Sequence, residues 1–427
     1  MALPLTPPRW TKDRFPEEFR VRTYIFSTWR NVCQSFGYQE YLWPLVESAD
    51  LYRAKSGEDV WWTELTLLTD KEGKISDIAL RPEMTPTVTR MVASAYATLP
   101  KPVKRFSIAN FYRNERPQRG RNREFWQLNI DMFGEEGRGA DIEILQMAIE
   151  IVLAFGASQE MFTVHINHRH LVTVWLEQCL DIPDHLHTEL IRVMDKKNKI
   201  SAEQLHDQLQ ARWCTSQQAD SIVAFLDYTS LDALIAAYPD LQSESAYQEL
   251  QAILEDMVAL GYEDYVAFAP SLMRWFDYYN GMVFEVFDHH PDNNRAMFGG
   301  WRYNGLAEIF GVSSFPAVGC APWDESFRLF LEAHDLLPEV PTANARVYFP
   351  LLDEDLLVPT MRIAQQMRLQ GWHVTHTISS KKMRKVFELA EKWWYTHVVI
   401  AGQQELDAGE VLLKELATRT EQKIRFQ

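Results

Sequence analysis

The 427-residue chain predicts an α+β fold: an antiparallel sheet flanked by helices, interrupted by a helical insertion and followed by a small α/β domain. Three observations carry this. Two apolar-rich runs, Val103 to Tyr112 and Phe125 to Phe133, flank a loop marked by Pro117 and Gly120 and read as an antiparallel pair. Residues 170–264 are polar, rich in Gln, Asp and Leu, and lack strand alternation, so they read as inserted helices. Beyond about residue 343 the pattern runs β-α-β-α-β, the signature of a small α/β unit.

The elements follow in order. Residues 17–36 form an amphipathic helix, with Phe19, Tyr24, Ile25, Trp29 and Val32 on one side and Gly37 as the stop. Tyr38 to Val46 follows as a strand. Leu65 to Leu80 makes a hairpin around Lys71-Glu72-Gly73, and Arg81 to Ala95 is helical. Asp141 to Phe155 is a second helix, because Ile142, Leu145, Ile149 and Val152 share a face and Gly156 ends it. After the insertion, strands resume at Val283 to Phe287. Leu336 to Thr342, with two prolines, is a linker. The last domain reads as strands Ala345 to Leu351, Trp372 to Thr377 and His397 to Ala401, with helices Asp353 to Gln370 and Ser380 to Trp393 between them.

Composition narrows the function classes. No apolar stretch is long enough to span a bilayer, since the longest, Ile142 to Ala157, carries Glu143 and Glu150. The first 18 residues lack a basic start and apolar core, so no secretory signal is expected. Cys33, Cys179, Cys214 and Cys320 are scattered with no CxxC pair, which fits reduced thiols in a cytoplasmic protein. A net charge of −16 argues against wholesale coating of nucleic acid but leaves room for local basic patches.

One such patch is conspicuous. Between Lys101 and Arg123 lie eight Lys/Arg and one acid, Glu115. A cationic hairpin on an acidic protein is suited to a polyanion, and guanidinium groups can fork onto phosphate oxygens. Gln127 and Asp131 on the return strand are spaced to face one side of the sheet. Three further places carry chemistry. Arg81-Pro82-Glu83-Met84-Thr85 sets a carboxylate and a hydroxyl at a strand-to-helix junction, able to hold an ammonium group; alternatively Thr85 caps the helix and Glu83 is surface. Arg274-Trp275-Phe276-Asp277-Tyr278-Tyr279 puts a cation beside two phenols, which would otherwise be core tyrosines. Phe298-Gly299-Gly300-Trp301-Arg302-Tyr303-Asn304-Gly305 is glycine-rich with another Arg-Tyr pair.

At these four places the chain resembles the class II aminoacyl-tRNA synthetases, and specifically the histidyl-tRNA synthetase family. Gly37 to Pro44 looks like motif 1 and Tyr112 to Phe133 like motif 2; Arg274 to Tyr279 and Gly299 to Gly305 resemble the two histidine-specific motifs. The likeness runs from about Pro8 to the C-terminus. It implies a catalytic core over 1–169 and 265–335, the helical insertion over 170–264, and an anticodon-binding α/β domain over 343–427. It implies activation of histidine by ATP with magnesium to histidyl-adenylate, then transfer to tRNA(His), in a cytoplasmic homodimer. By position, Glu83, Thr85 and Gln127 would hold the α-amino group. Asp131 and Tyr279 would read the imidazole, with Tyr278 and Tyr303 nearby. Arg113 and Arg274 would bind the α-phosphate as the catalytic cations. Glu115 and Arg121 would contact ATP, and Gln118 and Arg123 the tRNA acceptor end.

The chain departs from the family pattern in two ways. In Val318 to Arg328, which resembles motif 3, the expected arginine falls on Ser326. Trp10, Trp275, Trp301, Trp323 and Trp394 fall where the family usually has glycine, in a chain with 14 Trp and only 18 Gly. Either the indoles crowd the pocket, or the codon read as tryptophan stands for glycine in the source. A different class of reading is a non-catalytic paralogue of the kind that regulates ATP phosphoribosyltransferase in histidine biosynthesis. The C-terminal domain, with Lys381, Lys382, Arg384 and Lys385 as a basic cluster, favours a tRNA partner instead.

Overall fold

The computed structural model describes residues 3–9, 11–56, 65–115, 118–197, 200–212, 214–273, 281–293, 295–338 and 346–426. The chain divides into two compact units, Met1–Leu337 and Pro338–Gln427.

The larger unit is organised by the cationic hairpin. Its strands, Val103–Tyr112 and Glu124–Phe133, pair residue for residue, from Val103 opposite Phe133 to Tyr112 opposite Glu124. On Glu124–Phe133 the sheet continues antiparallel through Ala317–Cys320, Ala296–Arg302, Met282–Asp288 and Phe162–His168. Parallel strands close both edges, Gln39–Glu40 against Val103–Tyr112 and Val266–Phe268 against Phe162–His168. Among the described residues the sheet therefore has eight strands.

Two glycines at the centre are required by close approach and not by φ. A Cβ on Gly319 would stand 2.4 Å from the Ile130 carbonyl oxygen, and one on Gly300 would stand 2.5 Å from the Gly319 carbonyl oxygen. The alternation of Glu124–Phe133 sorts its side chains. Leu128, Ile130 and Met132 enter the large core with Trp29, Ile149 and Val164, whereas Phe125 and Phe133 enter a second core with Phe111, Tyr303, Met84 and Val88.

Several expectations shift when built. Tyr38 to Val46 is not one strand: Gln39–Glu40 joins the main sheet, while Val46–Ser48 joins a separate three-stranded sheet with Ile75–Leu80 and Thr66–Thr69. Pro44, which has no N–H to give a ladder, lies in the break. The helix expected from Arg81 starts only at Thr85 and runs to Ala93, because Pro82 disfavours helix at Arg81 and Pro86 suits a first turn. The N-terminal helix Pro16–Ser35 buries Ile25, Trp29 and Cys33 but leaves Phe19 half exposed. Helix Arg138–Leu153 is buried nearly all round, as it packs against the sheet, the N-terminal helix and the helix Ser245–Ala259.

Between residues 169 and 265 the described residues form helices and no strand, among them Arg169–Gln178, Asp184–Met194, Ala202–Gln210 and Ser216–Phe225. Reciprocal caps start two of them, Ser201 with Gln204 and Thr215 with Gln218. Trp175 stacks on Phe225 with centroids 3.9 Å apart and centres this helical cluster.

In the smaller unit, strands His373–His376, Arg346–Phe349 and His397–Ile400 are parallel neighbours, joined through helices Leu357–Leu369 and Met383–Lys392. Glu410–Glu415 and Glu421–Arg425 extend the sheet antiparallel. Those two strands go beyond the pattern read from sequence, since the last is charged and largely exposed and presents no apolar run. Residues 339–342 of the expected linker lie outside the described residues.

Candidate active site

The site is assembled on the face of the hairpin that carries the odd-numbered residues of Glu124–Phe133. Period-two geometry places Gln127, Asn129 and Asp131 side by side, all nearly inaccessible to solvent. Gln127 Nε2 donates to Asn129 Oδ1 at 2.7 Å. Tyr303, which follows the strand Ala296–Arg302, donates its hydroxyl to Asp131 Oδ1 at 2.5 Å. Burial, and next the Asp131 carboxylate, push the Tyr303 phenol far above its ordinary range, so it stays a donor at any working pH. Burial and then Asp131 act likewise on Tyr41. Asp131 is 2% exposed, a buried acceptor with phenols around it. Gly319 opposes it on the neighbouring strand, and a Cβ there would come within 2.8 Å of Asp131 Oδ1. The glycine thus keeps room beside the carboxylate.

Glu83 and Thr85 lie at the junction into helix Thr85–Ala93, and both are buried. The capping alternative fails, since Met84 is the N-cap and no side chain caps the helix. Arg81 holds the junction in place. Its Nε and Nη2 donate to the carbonyl and side-chain oxygens of Asn110, at 2.7 and 2.9 Å, and its Nη1 donates to the Trp43 carbonyl at 3.1 Å. The guanidinium also covers the Trp43 ring at 4.7 Å. Arg113 adds a second tie, donating from Nε to the Pro82 carbonyl at 2.8 Å, one residue from Glu83.

The loop of the hairpin is closed by mutual backbone hydrogen bonds between Gln118 and Arg121, with Gly120 at φ +78°. A non-glycine residue would be strained there. Arg121 reaches Glu115 at 3.4 Å. The Arg123 carbonyl accepts from the Arg113 amide, and its own Nε is buried without a hydrogen-bond partner among the described residues. Gln118 is exposed on the loop. The guanidinium groups of Arg113 and Arg121 both lie 5.2 Å from the Trp323 ring.

The segment that follows settles the fate of Arg328. Ser326 Oγ donates to the Met297 carbonyl at 2.8 Å. Arg328 lies in helix Asp324–Ala333 and is engaged by Glu325 at 2.7 Å and by Glu332, so its charge is already committed to acids. Burial alone would lift the Glu325 carboxyl, but Arg328 and Arg14 hold it down to about 2. Asp324 pairs with Arg22 at 2.7 Å and accepts the Trp126 amide at 3.0 Å, which fastens this helix to the hairpin.

Of the residues expected at the site, Gln127, Asp131 and Tyr303 are brought together through the sheet, and Arg113, Glu115 and Arg121 around the hairpin loop. Arg274, Trp275, Tyr278 and Tyr279 lie outside the described residues, as does Trp10. Three residues take a role that the sequence reading does not assign to them. Asn129 was implied by its place between Gln127 and Asp131. Arg81 and Arg302 are positioning residues whose partners no local pattern reveals. Arg302 grips Asp141 with Nε and Nη2, both at 2.8 Å, and donates to the Gly137 carbonyl at 2.9 Å. It thereby ties the strand that leads into Tyr303 to the start of helix Arg138–Leu153.

The histidyl-tRNA synthetase family model matches residues 10–322 and an anticodon binding domain model matches residues 346–427. The histidine–tRNA ligase of Leptospira biflexa is 38% identical over 414 residues, covering 96% of this chain and 93% of the relative. That of Haloarcula marismortui is 33% identical over 410 residues, covering 95% and 92%. Among solved structures, a histidyl-tRNA synthetase from Nostoc sp. PCC 7120 superposes with a TM-score of 0.83 at 22% identity, covering 99% of this chain and 97% of that one. A Bacillus halodurans protein described as an ATP phosphoribosyltransferase regulatory subunit/histidyl-tRNA synthetase superposes at 0.76 with 21% identity, covering 93% and 98%. At those identities the structural likeness is one of fold.

Proposed function

The chain belongs to the histidyl-tRNA synthetase family, and from that premise we propose that it is a histidine–tRNA ligase. The reaction joins a carboxylate oxygen of histidine to the α-phosphorus of ATP, releases pyrophosphate, and passes the histidyl group to the 3′ end of tRNA(His). The observation that carries the reading is the buried Asp131 carboxylate beside the Tyr303 hydroxyl at 2.5 Å. A carboxylate sealed among phenols and carboxamides suits a ring that donates N–H, as imidazole does.

The division of labour follows from the placement of each group. Asp131 accepts from the imidazole, with Tyr303 orienting it and Tyr278 and Tyr279 completing the ring's surroundings. Glu83, Thr85 and Gln127 hold the α-ammonium. Arg113, anchored on the Pro82 carbonyl, brings its positive charge next to the amino-group site and steadies the charge that develops on the α-phosphate together with Arg274. Glu115 and Arg121 contact ATP, and Gln118 and Arg123 face the acceptor end of the tRNA. ATP would bring magnesium with it, which would offset the charge of its phosphates.

The catalytic core spans 1–169 and 265–335 with the insertion at 170–264, and residues 343–427 take the anticodon. The chain acts as a cytoplasmic homodimer; no described helix is long and apolar enough to cross a membrane. The regulatory-paralogue alternative is disfavoured by the C-terminal unit that an anticodon binding model matches. Ser326 in place of an arginine, and the indoles of Trp301 and Trp323, bear on how fast the chain as written turns over. Charging of a transcribed tRNA(His) tests the proposal: histidine is expected to be transferred at saturating ATP, and transfer of another amino acid in its place would overturn it.

A further inference from the structure

Trp323 stands between strand Ala317–Cys320 and helix Asp324–Ala333, bridged through its backbone to Gln127. Its backbone is ordinary, with φ −106° and ψ 137°, so the consequence of a side chain here lies in the space it takes. The indole stacks on Phe125 with centroids 4.6 Å apart and 26° between the planes. Arg113 lies 5.2 Å from the Phe125 ring and 5.2 Å from the Trp323 ring, and Arg121 lies 5.2 Å from the Trp323 ring. A flat bicyclic heteroaromatic, laid on a phenyl ring with two guanidinium groups over it, has the size and shape of a purine with cations at hand for its phosphates.

We propose that Trp323 is an internal plug of the nucleotide site: its indole takes the place on Phe125 that the adenine of ATP would occupy, with Arg113 and Arg121 resting on it until ATP displaces it. The inference rests on the ligase reading for the identity of the nucleotide. Binding of ATP must then break one aromatic stack and two cation–π contacts before making its own. Removing the ring is expected to tighten ATP binding on the order of ten- to a hundredfold. The indole and an adenine cannot both lie on Phe125, so the plug and the nucleotide exclude each other.

The test measures binding of radiolabelled ATP to the full chain by equilibrium dialysis without histidine, for the parent, W323F, W323A and W323G. The parent and W323F are expected to bind weakly and alike, and W323A and W323G at least tenfold more tightly. Equal affinity in all four overturns the plug. W323A keeps the test decisive if W323G fails to fold. Titrating ATP into the parent should also change a fluorescence component that W323F lacks; no difference between the two titrations overturns the proposal. Pyrophosphate exchange on the same samples separates the two ideas. Histidine-dependent exchange with unchanged ATP affinity sinks the plug and leaves the ligase, whereas tighter ATP binding with exchange driven by another amino acid keeps the plug and sinks histidine specificity.

Discussion

Replacing Arg302 by methionine removes the cation from a buried pair while keeping most of its stem. Arg302 and Asp141 side chains are each 7% exposed, and the guanidinium makes three contacts under 3.1 Å to the carboxylate, plus one at 2.9 Å to the Gly137 carbonyl. Losing one partner of such a pair leaves the other charge buried, which costs about 3–5 kcal/mol. For the unit Met1–Leu337, an unfolding entropy of ~2.1 cal/mol/K per residue gives about 0.7 kcal/mol per degree, so the midpoint should fall by roughly 4–7 °C.

The loss should depend on pH. Burial already pushes the Asp141 carboxyl up against the opposing pull of Arg302, with His168 also lowering it and Glu249 raising it. Without Arg302 it rises further above its unfolded value. A carboxyl whose folded pKa is raised favours the folded state when protonated, so the deficit is largest at pH 8 and shrinks as pH falls. Calorimetry of the intact chain at pH 5 and pH 8 is the assay. A midpoint within about 1 °C of the parent at both values would refute the reasoning.

Two further outcomes are expected. Glu325 is held down to about 2 by Arg328 and Arg14 against the effect of burial, so its stabilisation is complete above the unfolded value near 4.5 and is lost as pH falls toward 2. Glu325→Gln should therefore cost about 3 kcal/mol at pH 7 and flatten acid unfolding in that window, read from urea midpoints at a series of pH values. Trp394 sits at φ +51° just after helix Met383–Lys392, a left-handed position that glycine occupies freely, and its ring is half exposed. Trp394→Gly should stabilise the unit Pro338–Gln427 by about 1 kcal/mol and raise its melting midpoint by roughly 5 °C, and a lowered midpoint would count against that strain.

What could be read from the sequence was whatever has a short period or a short range. The hairpin was legible because two apolar-rich runs, Val103 to Tyr112 and Phe125 to Phe133, flank a Pro/Gly loop, and its pairing runs unbroken from Val103 to Tyr112. Gln127 and Asp131 were placed on one face by the same period of two. The break at Pro44 was not foreseen, since which of two sheets each half joins depends on partners 66 and 30 to 34 residues away. The partners of Arg302 and Arg81 were not foreseen for the same cause: Asp141 and Asn110 lie 161 and 29 residues from them in the chain. The strand Glu421–Arg425 carries too little apolar surface to announce itself. The commitment of Arg328 to Glu325 and Glu332 depends on its being helical, where residues three and four apart meet.

The most direct test of the ligase reading is amino-acid-dependent exchange of pyrophosphate into ATP, run with each of the twenty amino acids on the parent and on W323A. The account predicts exchange with histidine and with no other, in W323A at lower ATP concentration than in the parent. Exchange with a different amino acid, or none with histidine in either protein at saturating ATP, would contradict it.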